Sequence, residues 1–272
     1  MSRLFKIAII LLIIGLVLVG LSYYLGLREL SLPIRPEERA YEEKVKEFDN
    51  LRELEIDFKS MSIEIVSSKE EKNQLIYPHF ERERDELVIR EDGGLLRIEQ
   101  KEKGHDLLFE NPKPLFIKLY LEENSILEKL HIESAYGQVN TKGIKVKSGA
   151  IKLNVGGFRS ENDQFEDFEI STNIGQIDLE NTSFINAKLE SNLGEIKGSL
   201  IPKGDLIFKT RLGGIQLETL GGIKYAYQIN ANMGQASFNG REVKSGDLQR
   251  RDYRETMLRI STDMGQASIV EK

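Results

Sequence analysis

Apolar and polar residues follow three different patterns along this 272-residue chain. Residues 7 to 27 form an unbroken run of uncharged, mostly aliphatic side chains. Residues 28 to 50 are rich in charge and show no alternation. From Leu51 onward apolar and polar residues alternate, as in residues 54 to 58, and a period of two is typical of β-strands. The sequence therefore predicts an apolar segment, a charged linker and an all-β region.

The run from Ile7 to Leu27 is 21 residues long and predicts one N-terminal transmembrane helix. At about 1.5 Å per residue, such a helix matches a hydrocarbon core of about 30 Å. A cleaved signal peptide would have a shorter apolar region and a small-residue cleavage site, so we expect an uncleaved signal anchor. Residues 1 to 6 are then a cytoplasmic tail and the C-terminal domain is extracellular. Basic residues on the two sides are too evenly balanced to decide this orientation by themselves.

Two regions separate the predicted membrane helix from the C-terminal half of the chain. Residues 28 to 50 predict a charged linker, in which Glu38 to Phe48 suits a short helix. Residues 51 to 114 predict an antiparallel β entry region, because short alternating segments are separated by turn signals such as residues 92 to 94. Residues 102 to 114 of this region carry glycine and proline and predict a loop.

A repeat centred on glycine is the strongest signal in the sequence. Five glycines lie nineteen residues apart and two more follow after longer intervals, with similar residues at fixed offsets from each one. These glycines are Gly137, Gly156, Gly175, Gly194, Gly213, Gly234 and Gly265. A unit this short cannot bury its own apolar face, so residues 115 to 272 predict a β-solenoid whose coils stack about 4.8 Å apart.

The aligned coils predict which side chains face the interior. Ile151, Ile170 and Leu189 each lie five residues before a glycine, and we expect them to form one contiguous buried row. The glycine is expected where the chain bends sharply between two strands with positive φ. The asparagines two residues before a glycine are expected to help the bend, because asparagine tolerates left-handed backbone. They are Asn154, Asn173, Asn192 and Asn232.

The last interval of the repeat contains an insertion at residues 239 to 256. It adds about twelve residues to the nineteen-residue period, and these residues are mostly polar or charged. The insertion predicts a protruding hairpin or loop that helps to cap the open end of the solenoid.

Composition narrows the classes of function. The net charge of −6 and the pI of about 5.4 argue against a nucleic-acid partner, which would normally meet a basic face. The chain has no cysteine, which excludes disulfides, thiolate metal sites and a cysteine nucleophile. It also has no tryptophan, the side chain that most often stacks on sugars.

Titratable side chains suggest no reaction. His79, His105 and His131 lie in dissimilar contexts, so we expect surface or edge histidines and no metal site. No catalytic, cofactor-binding or metal-ligating residues are therefore assigned, and no cofactor is expected. One set of three carboxylates is considered as the catalytic group in the groove of a carbohydrate-active β-helix enzyme, although acidic residues on strand faces are usually only solvated. It comprises Asp178, Glu180 and Glu195.

A polar row directly follows the repeat glycines and leaves two interpretations open. The row can be a recognition stripe for glycan or protein, or a ladder of hydrogen bonds between coils. No exposed aromatic residues accompany the row in the alignment, which favours the ladder. Its members are Gln138, Gly157, Gln176, Glu195, Gly214, Gln235 and Gln266.

The coils resemble those of the bacterial "putative adhesin" family, a domain family of unknown function. Residues 171 to 177 carry the repeated glycine motif, and residues 54 to 57 and 62 to 65 are similar to the first strands of that family. The resemblance covers roughly residues 50 to 270. It implies a β-solenoid of the cell envelope that follows a membrane segment, and it brings no catalytic residues.

The leading hypothesis is a non-catalytic, membrane-anchored, extracytoplasmic binding, adhesin-like or scaffolding domain of the cell envelope. Its partners are then the membrane itself and an envelope protein or cell-wall glycan. The alternative is an accessory regulator of an envelope-stress signalling system, acting through its membrane helix or stalk. A carbohydrate-active β-helix enzyme is the third hypothesis.

Overall fold

The computed structural model describes most of the chain beyond the predicted membrane segment. The predicted tail, the transmembrane helix and the first part of the linker lie outside the described residues and stay predictions, as does the loop at 102 to 114. In the described part, no helix is long and apolar enough to cross a membrane. Its elements are strands of one 21-stranded sheet, which confirms the all-β class. The described residues are 42–69, 72–79, 87–101, 115–250, 252–253 and 255–272.

The strands fall into three groups along the chain. The strands before the glycine repeat are β1 (Glu42–Glu47), β2 (Glu53–Phe58), β3 (Met61–Ser68), β4 (Gln74–His79), β5 (Leu87–Asp92), β6 (Leu95–Gln100) and β7 (Leu115–Glu122). The regular repeat contains β8 (Leu127–Tyr136), β9 (Val139–Lys142), β10 (Lys145–Val155), β11 (Phe158–Glu161), β12 (Gln164–Ile174), β13 (Ile177–Leu193), β14 (Ile196–Leu212) and β15 (Ile215–Thr219). The C-terminal group is β16 (Ala226–Met233), β17 (Ala236–Phe238), β18 (Arg241–Glu242), β19 (Leu248–Gln249), β20 (Thr256–Met264) and β21 (Ala267–Glu271).

Parallel pairing between successive coils builds the solenoid. Ile151 pairs with Ile170 and Ile170 pairs with Leu189, and all three are at most 1% exposed. The predicted interior row is therefore confirmed, and it runs through nine stacked levels. Each of these side chains contributes about 1.5–3 kcal/mol by leaving water. In stacking order the row is Ile98, Ile56, Ile132, Ile151, Ile170, Leu189, Phe208, Ile260 and Ile229.

Each coil has three sides, which the sequence pattern did not predict. Along β13 the alternation of buried and exposed residues is broken three times by two consecutive exposed residues. The breaks occur at residues 180–181, 185–186 and 192–193. Asn181 and Asn186 have φ of 49° and 58°, so asparagine supplies the left-handed backbone at two of the three corners.

The predicted antiparallel entry region is wrong for β2 and β3. β2 pairs in parallel with both β6 and β8, and β3 pairs in parallel with both β7 and β9. These strands form a coil without a glycine, because Leu54 and Ile56 continue the interior rows of Leu130 and Ile132. The Gln100 carboxamide oxygen accepts the backbone N–H groups of this coil's corner, at 2.9 and 3.0 Å. The solenoid therefore begins well before residue 115.

The helix expected over Glu38 to Phe48 is wrong where the structure describes it. Glu42–Glu47 is strand β1, which pairs antiparallel with β4. Phe48 and Leu51 directly after it are each 5% exposed. Burial of these two side chains and pairing with β4 outweigh the helix propensity of a segment rich in Glu and Lys.

The order of the coils in space differs from their order in the chain at both ends. β20 lies between β14 and β16, and β21 lies between β15 and β17. In the same way β2 lies between β6 and β8. The last strands of the chain are thus paired on both sides, and the outermost coil is the one that precedes them in sequence.

Antiparallel strands cover the free edges of both outermost coils. At one end β19 pairs with β16 and β18 pairs with β17, so the insertion at 239 to 256 occupies the predicted capping position. At the other end β5 pairs with β6 and β4 pairs with β7. Covered edges protect a solenoid from adding further strands at its ends.

Candidate functional site: the glycine corner

The repeat glycines stack directly on one another at one corner of the solenoid. Their φ values lie between 142° and 159°, as predicted for a bend that favours glycine. The stacking supplies a second and stronger reason for the residue. A Cβ on Gly156 would lie 1.7 Å from the carbonyl oxygen of Gly137, closer than any side chain can approach.

Buried hydroxyl groups fix this corner from the inside. Thr172 and Ser191 each donate a hydrogen bond of 3.0 Å to the carbonyl oxygen of the glycine in the coil before. Thr262 donates to the Gly213 carbonyl oxygen at 2.9 Å, across coils that are far apart in sequence. Such hydrogen bonds contribute about 1 kcal/mol each and hold the corner in one geometry.

The residues immediately before the glycines form an exposed apolar row, called here the apolar ridge. Six of its seven members are 42% to 63% exposed, and the other, Val155, is partly buried. Each member pairs in register with the next, so the row is continuous. In stacking order the ridge is Tyr136, Val155, Ile174, Leu193, Leu212, Met264 and Met233.

Sequence reasoning missed the exposure of the ridge. A strict period of two would place Leu193 on the inner face with Leu189 and Ser191, which are both buried. The chain instead turns at Asn192 and Leu193, so two consecutive residues point outward before Gly194. The repeat did carry a signal, since an apolar residue stands before all seven glycines, but alternation alone assigns that position to the core.

An asparagine row, formed by the residues two before each repeat glycine, borders the ridge on one side. Its members are Ala135, Asn154, Asn173, Asn192, Arg211, Asn232 and Asp263. Asn173 donates to the Oδ1 atom of Asn154 at 3.2 Å, and Asn192 donates to that of Asn173 at 3.0 Å. The predicted role of these residues in the bend is wrong, because their φ values are not positive. They form a hydrogen-bonded ladder on extended strands, while other asparagines such as Asn162 provide the left-handed corners.

A glutamine row, formed by the seven residues that directly follow the repeat glycines, borders the ridge on the other side. Gln138, Gln176, Gln235 and Gln266 are exposed. Within the described residues no hydrogen bond joins these side chains, so the ladder expected here is formed by the asparagine row instead. The ridge and its two borders together hold 21 residues, and three of these are charged. In the whole chain 30% of the residues are charged. The charged members are Glu195, Arg211 and Asp263.

The carboxylates considered for catalysis do not converge. Asp178 lies 3.7 Å from the Lys197 ammonium, and Glu180 lies 3.4 Å from the Arg159 guanidinium. Glu195 belongs to the glutamine row at the corner. Each of the first two carboxylates thus has its own cation on the surface, and they form no shared site.

The histidines are equally scattered. His131 lies 3.2 Å from Glu133 on the surface, His79 lies in β4, and His105 is outside the described residues. In the part of the chain that the structure describes, no group of three or more metal-ligating side chains occurs.

One buried carboxylate was missed by the sequence reasoning. Asp163 is 1% exposed and accepts hydrogen bonds from the hydroxyls of Thr141 at 2.5 Å and Ser160 at 2.6 Å. The backbone N–H of Ile144 donates to it at 2.9 Å. Burial raises the pKa of Asp163 above its ordinary value of 3.8 to about 6, against the opposing effect of these donors. The group is inside the solenoid, so its role is structural.

The capped C-terminal end contains a recess of about 390 Å³. Arg250 forms a bidentate pair with Glu271 there, and its guanidinium lies 4.9 Å from the ring centre of Phe238. The hydrogen bond from Arg250 lowers the pKa of Glu271. This ion pair links the insertion to β21. The recess beside it is therefore part of the C-terminal cap.

Residues 117 to 269 match the family described as Toastrack DUF4097. The match spans more than half of the 272 residues. The chain belongs to the Toastrack DUF4097 family. The resemblance to the "putative adhesin" family of unknown function is thereby confirmed. Within this Toastrack domain the matched residues include every glycine of the corner and every member of the apolar ridge.

Solved structures also resemble this Toastrack protein. A "putative cell adhesion protein" from Clostridium sporogenes is 15% identical, with a TM-score of 0.44 over 86% of this chain and 100% of that one. A "putative adhesin" from Bacteroides fragilis is 10% identical, with a TM-score of 0.44 over 86% of this chain and 98% of that one. No curated protein matches the sequence.

Proposed function

We propose that this Toastrack protein is a non-catalytic, adhesin-like binding and scaffolding domain of the cell envelope. In this proposal residues 7 to 27 anchor it in the membrane and the solenoid lies outside the cytoplasm. The observation that carries the proposal is the apolar ridge, which is exposed at six of its seven consecutive levels along the solenoid.

The ridge has the composition of a binding surface. Contiguous exposed apolar side chains are unfavourable in water, at about 25 cal/mol per Å², and usually mark sites of interaction. Polar, mostly uncharged rows flank the ridge on both sides, as the rim flanks the apolar centre of a protein interface. Leu193 and Leu212, at 42% and 44% exposed, stand near its middle.

The chemistry of the ridge favours a protein partner over a glycan. Its members are aliphatic or thioether side chains apart from Tyr136, and the chain has no tryptophan. Flat aromatic faces are what a sugar ring stacks on, whereas Ile, Leu and Met fit the apolar side chains of another protein.

The solenoid presents the ridge rigidly. Every ridge residue belongs to a strand with a parallel partner in a neighbouring coil, and the same strands carry the buried interior row. A preorganised surface loses little conformational entropy on binding, which increases the affinity available from a narrow contact.

Photo-cross-linking of the full-length protein in membranes tests the proposal. A benzophenone amino acid at Ile174, on the ridge, is expected to give discrete adducts that disappear in a Leu193→Glu variant. The matched control is the same probe at Ile185, an aliphatic residue 36% exposed at another corner. Equal adducts from both positions, or none from Ile174, contradict the proposal.

The location is tested separately with a single introduced thiol. Because the chain has no cysteine, Arg159→Cys provides one surface thiol on the solenoid. We expect a membrane-impermeant maleimide to label it in intact cells. Labelling that requires permeabilised cells would place the solenoid in the cytoplasm.

A further inference from the structure

We propose that the partner on the apolar ridge is a second copy of this chain. The inference rests on the proposed function, because it takes the ridge to be a binding surface and adds the identity of what binds there. Three features of the ridge carry it: its spacing, the chemistry of its borders and its size.

The spacing of the ridge fits another ridge along its whole length. One side chain projects from each coil, so the projections recur about every 4.8 Å. A second copy has the same spacing, and its side chains can pack against these at every level, as in a dry interface between sheets. An α-helix repeats about every 5.4 Å and would slip by about 3.6 Å over the six intervals of the ridge. A helical partner would therefore lose register before the end.

The borders of the ridge are chemically able to face themselves. Two copies related by a two-fold axis bring identical surfaces together, so rows of like charge would repel, especially in a chain of net charge −6. The eight carboxamides of the asparagine and glutamine rows avoid this, because a carboxamide both donates and accepts hydrogen bonds, and Glu195 is the one carboxylate of the glutamine row. Arg211 and Asp263, the two charged members of the asparagine row, are neighbours of opposite sign.

The size of the ridge predicts an association that depends on the membrane. With its borders it is about 13 Å wide and about 29 Å long, or roughly 400 Å² per copy. The two copies together bury less than the roughly 1,200 Å² of a standard stable interface, so dilute protein is expected to be monomeric. Tethering in one membrane raises the effective concentration, towards the millimolar range for short linkers, where such a contact forms.

The central residue of the ridge is expected to lie on the two-fold axis of the dimer. Leu193 is the fourth of the seven members. Whether the two-fold axis runs along the ridge or crosses its centre, Leu193 meets its own counterpart in the second copy. A thiol at this position therefore reports the contact in either arrangement.

The test is disulfide cross-linking of the full-length protein in membranes. Leu193→Cys provides the only thiol of the chain, and Ile185→Cys is the matched control at another corner. Under mild oxidation we expect Leu193→Cys to form covalent dimers at least fivefold more than Ile185→Cys. Adding Ile174→Glu and Leu212→Glu should abolish these dimers, while protease resistance confirms that the exposed substitutions leave the solenoid folded.

Three results overturn the inference. In the first, Leu193→Cys and Ile185→Cys cross-link equally. In the second, the two glutamates leave the dimer yield unchanged. A photo-adduct from Ile174 that contains a different protein and no second copy also overturns it, and in that case the proposed binding function stands.

Discussion

Gly175 stacks on Gly156 so closely that a β-carbon on Gly175 would lie 1.7 Å from the carbonyl oxygen of Gly156. The backbone N–H of Gly156 donates a hydrogen bond of 2.9 Å to the carbonyl oxygen of Ile174, the residue directly before Gly175. Backbone therefore rests on backbone at this corner, with no room for a side chain. The spacing between coils and the position of the ridge both depend on this contact.

Gly175→Ala should lower the free energy of unfolding by more than about 3 kcal/mol. The added methyl group clashes with the carbonyl oxygen of Gly156, which also accepts a hydrogen bond from Thr172, so the coils must separate locally. Urea unfolding followed by circular dichroism measures the loss. The matched control is Gly222→Ala, where φ is 61° but nothing lies within 4 Å of the added carbon, and about 1 kcal/mol is expected. Equal losses in the two variants contradict the close-contact explanation.

Truncation to alanine should lower the free energy of unfolding much more at Leu189 than at Leu193. They lie on one strand, but Leu189 is 0% exposed in the interior row and Leu193 is 42% exposed on the ridge. Leu189→Ala should cost about 2–5 kcal/mol of unfolding free energy, as large-to-small core changes do. Leu193→Ala should stay within about 1 kcal/mol. The same urea titration compares them, and a large cost at Leu193 would mean that the ridge is part of the core.

Asp163 should make stability depend on pH. Its folded pKa of about 6 is above its ordinary value of 3.8, so the folded state holds the proton more tightly between these values. The contribution of the group to stability is therefore complete below about pH 4 and is lost as pH rises through about 6. The loss amounts to about 3 kcal/mol. It should appear in the unfolding free energy of the native protein and be absent from Asp163→Asn.

The difference in unfolding free energy between the native protein and Asp163→Asn isolates the contribution of Asp163. Carboxylates whose pKa is lowered, such as Glu55 and Glu133, titrate identically in both and cancel. A difference that stays constant from pH 4 to pH 7 would contradict the assignment.

Removal of residues 256 to 272 should expose more than the deleted segment. β20 and β21 lie between β14 and β16 and between β15 and β17, so their loss leaves the outermost coil without its partner. Limited proteolysis should cleave residues 220 to 255 in the truncated protein and spare them in the full-length chain. Continued protection of that region would mean that the outer coil docks without the last two strands.

The sequence predicted those features of the fold that every coil repeats. Ile151, Ile170 and Leu189 were placed in one row because the same apolar position recurs at each turn of the chain. The coil formed by β2 and β3 was missed because it lacks a glycine and uses Gln100 to hold its corner. The exchanged order of the end coils could not be inferred, because interior rows of similar side chains fit either order.

The candidate site was harder to predict than the fold. Its residues were all visible in the alignment of the coils, but a strict alternation would place the apolar position before each glycine in the interior. Leu193 is exposed because the chain turns one residue before the glycine, and this phase change is a property of the corner. Asp163 was missed for a similar reason, since its neighbours Thr141 and Ser160 come together only between coils.

The alkylation rate of a single thiol on the ridge tests most directly whether this surface is used. Full-length Leu193→Cys is compared in membranes and as dilute monomer in detergent, with Ile185→Cys as the reference. If a partner covers the ridge, alkylation at position 193 should be at least tenfold slower in membranes while the reference is unchanged. Equal rates at position 193 in both settings would contradict the account.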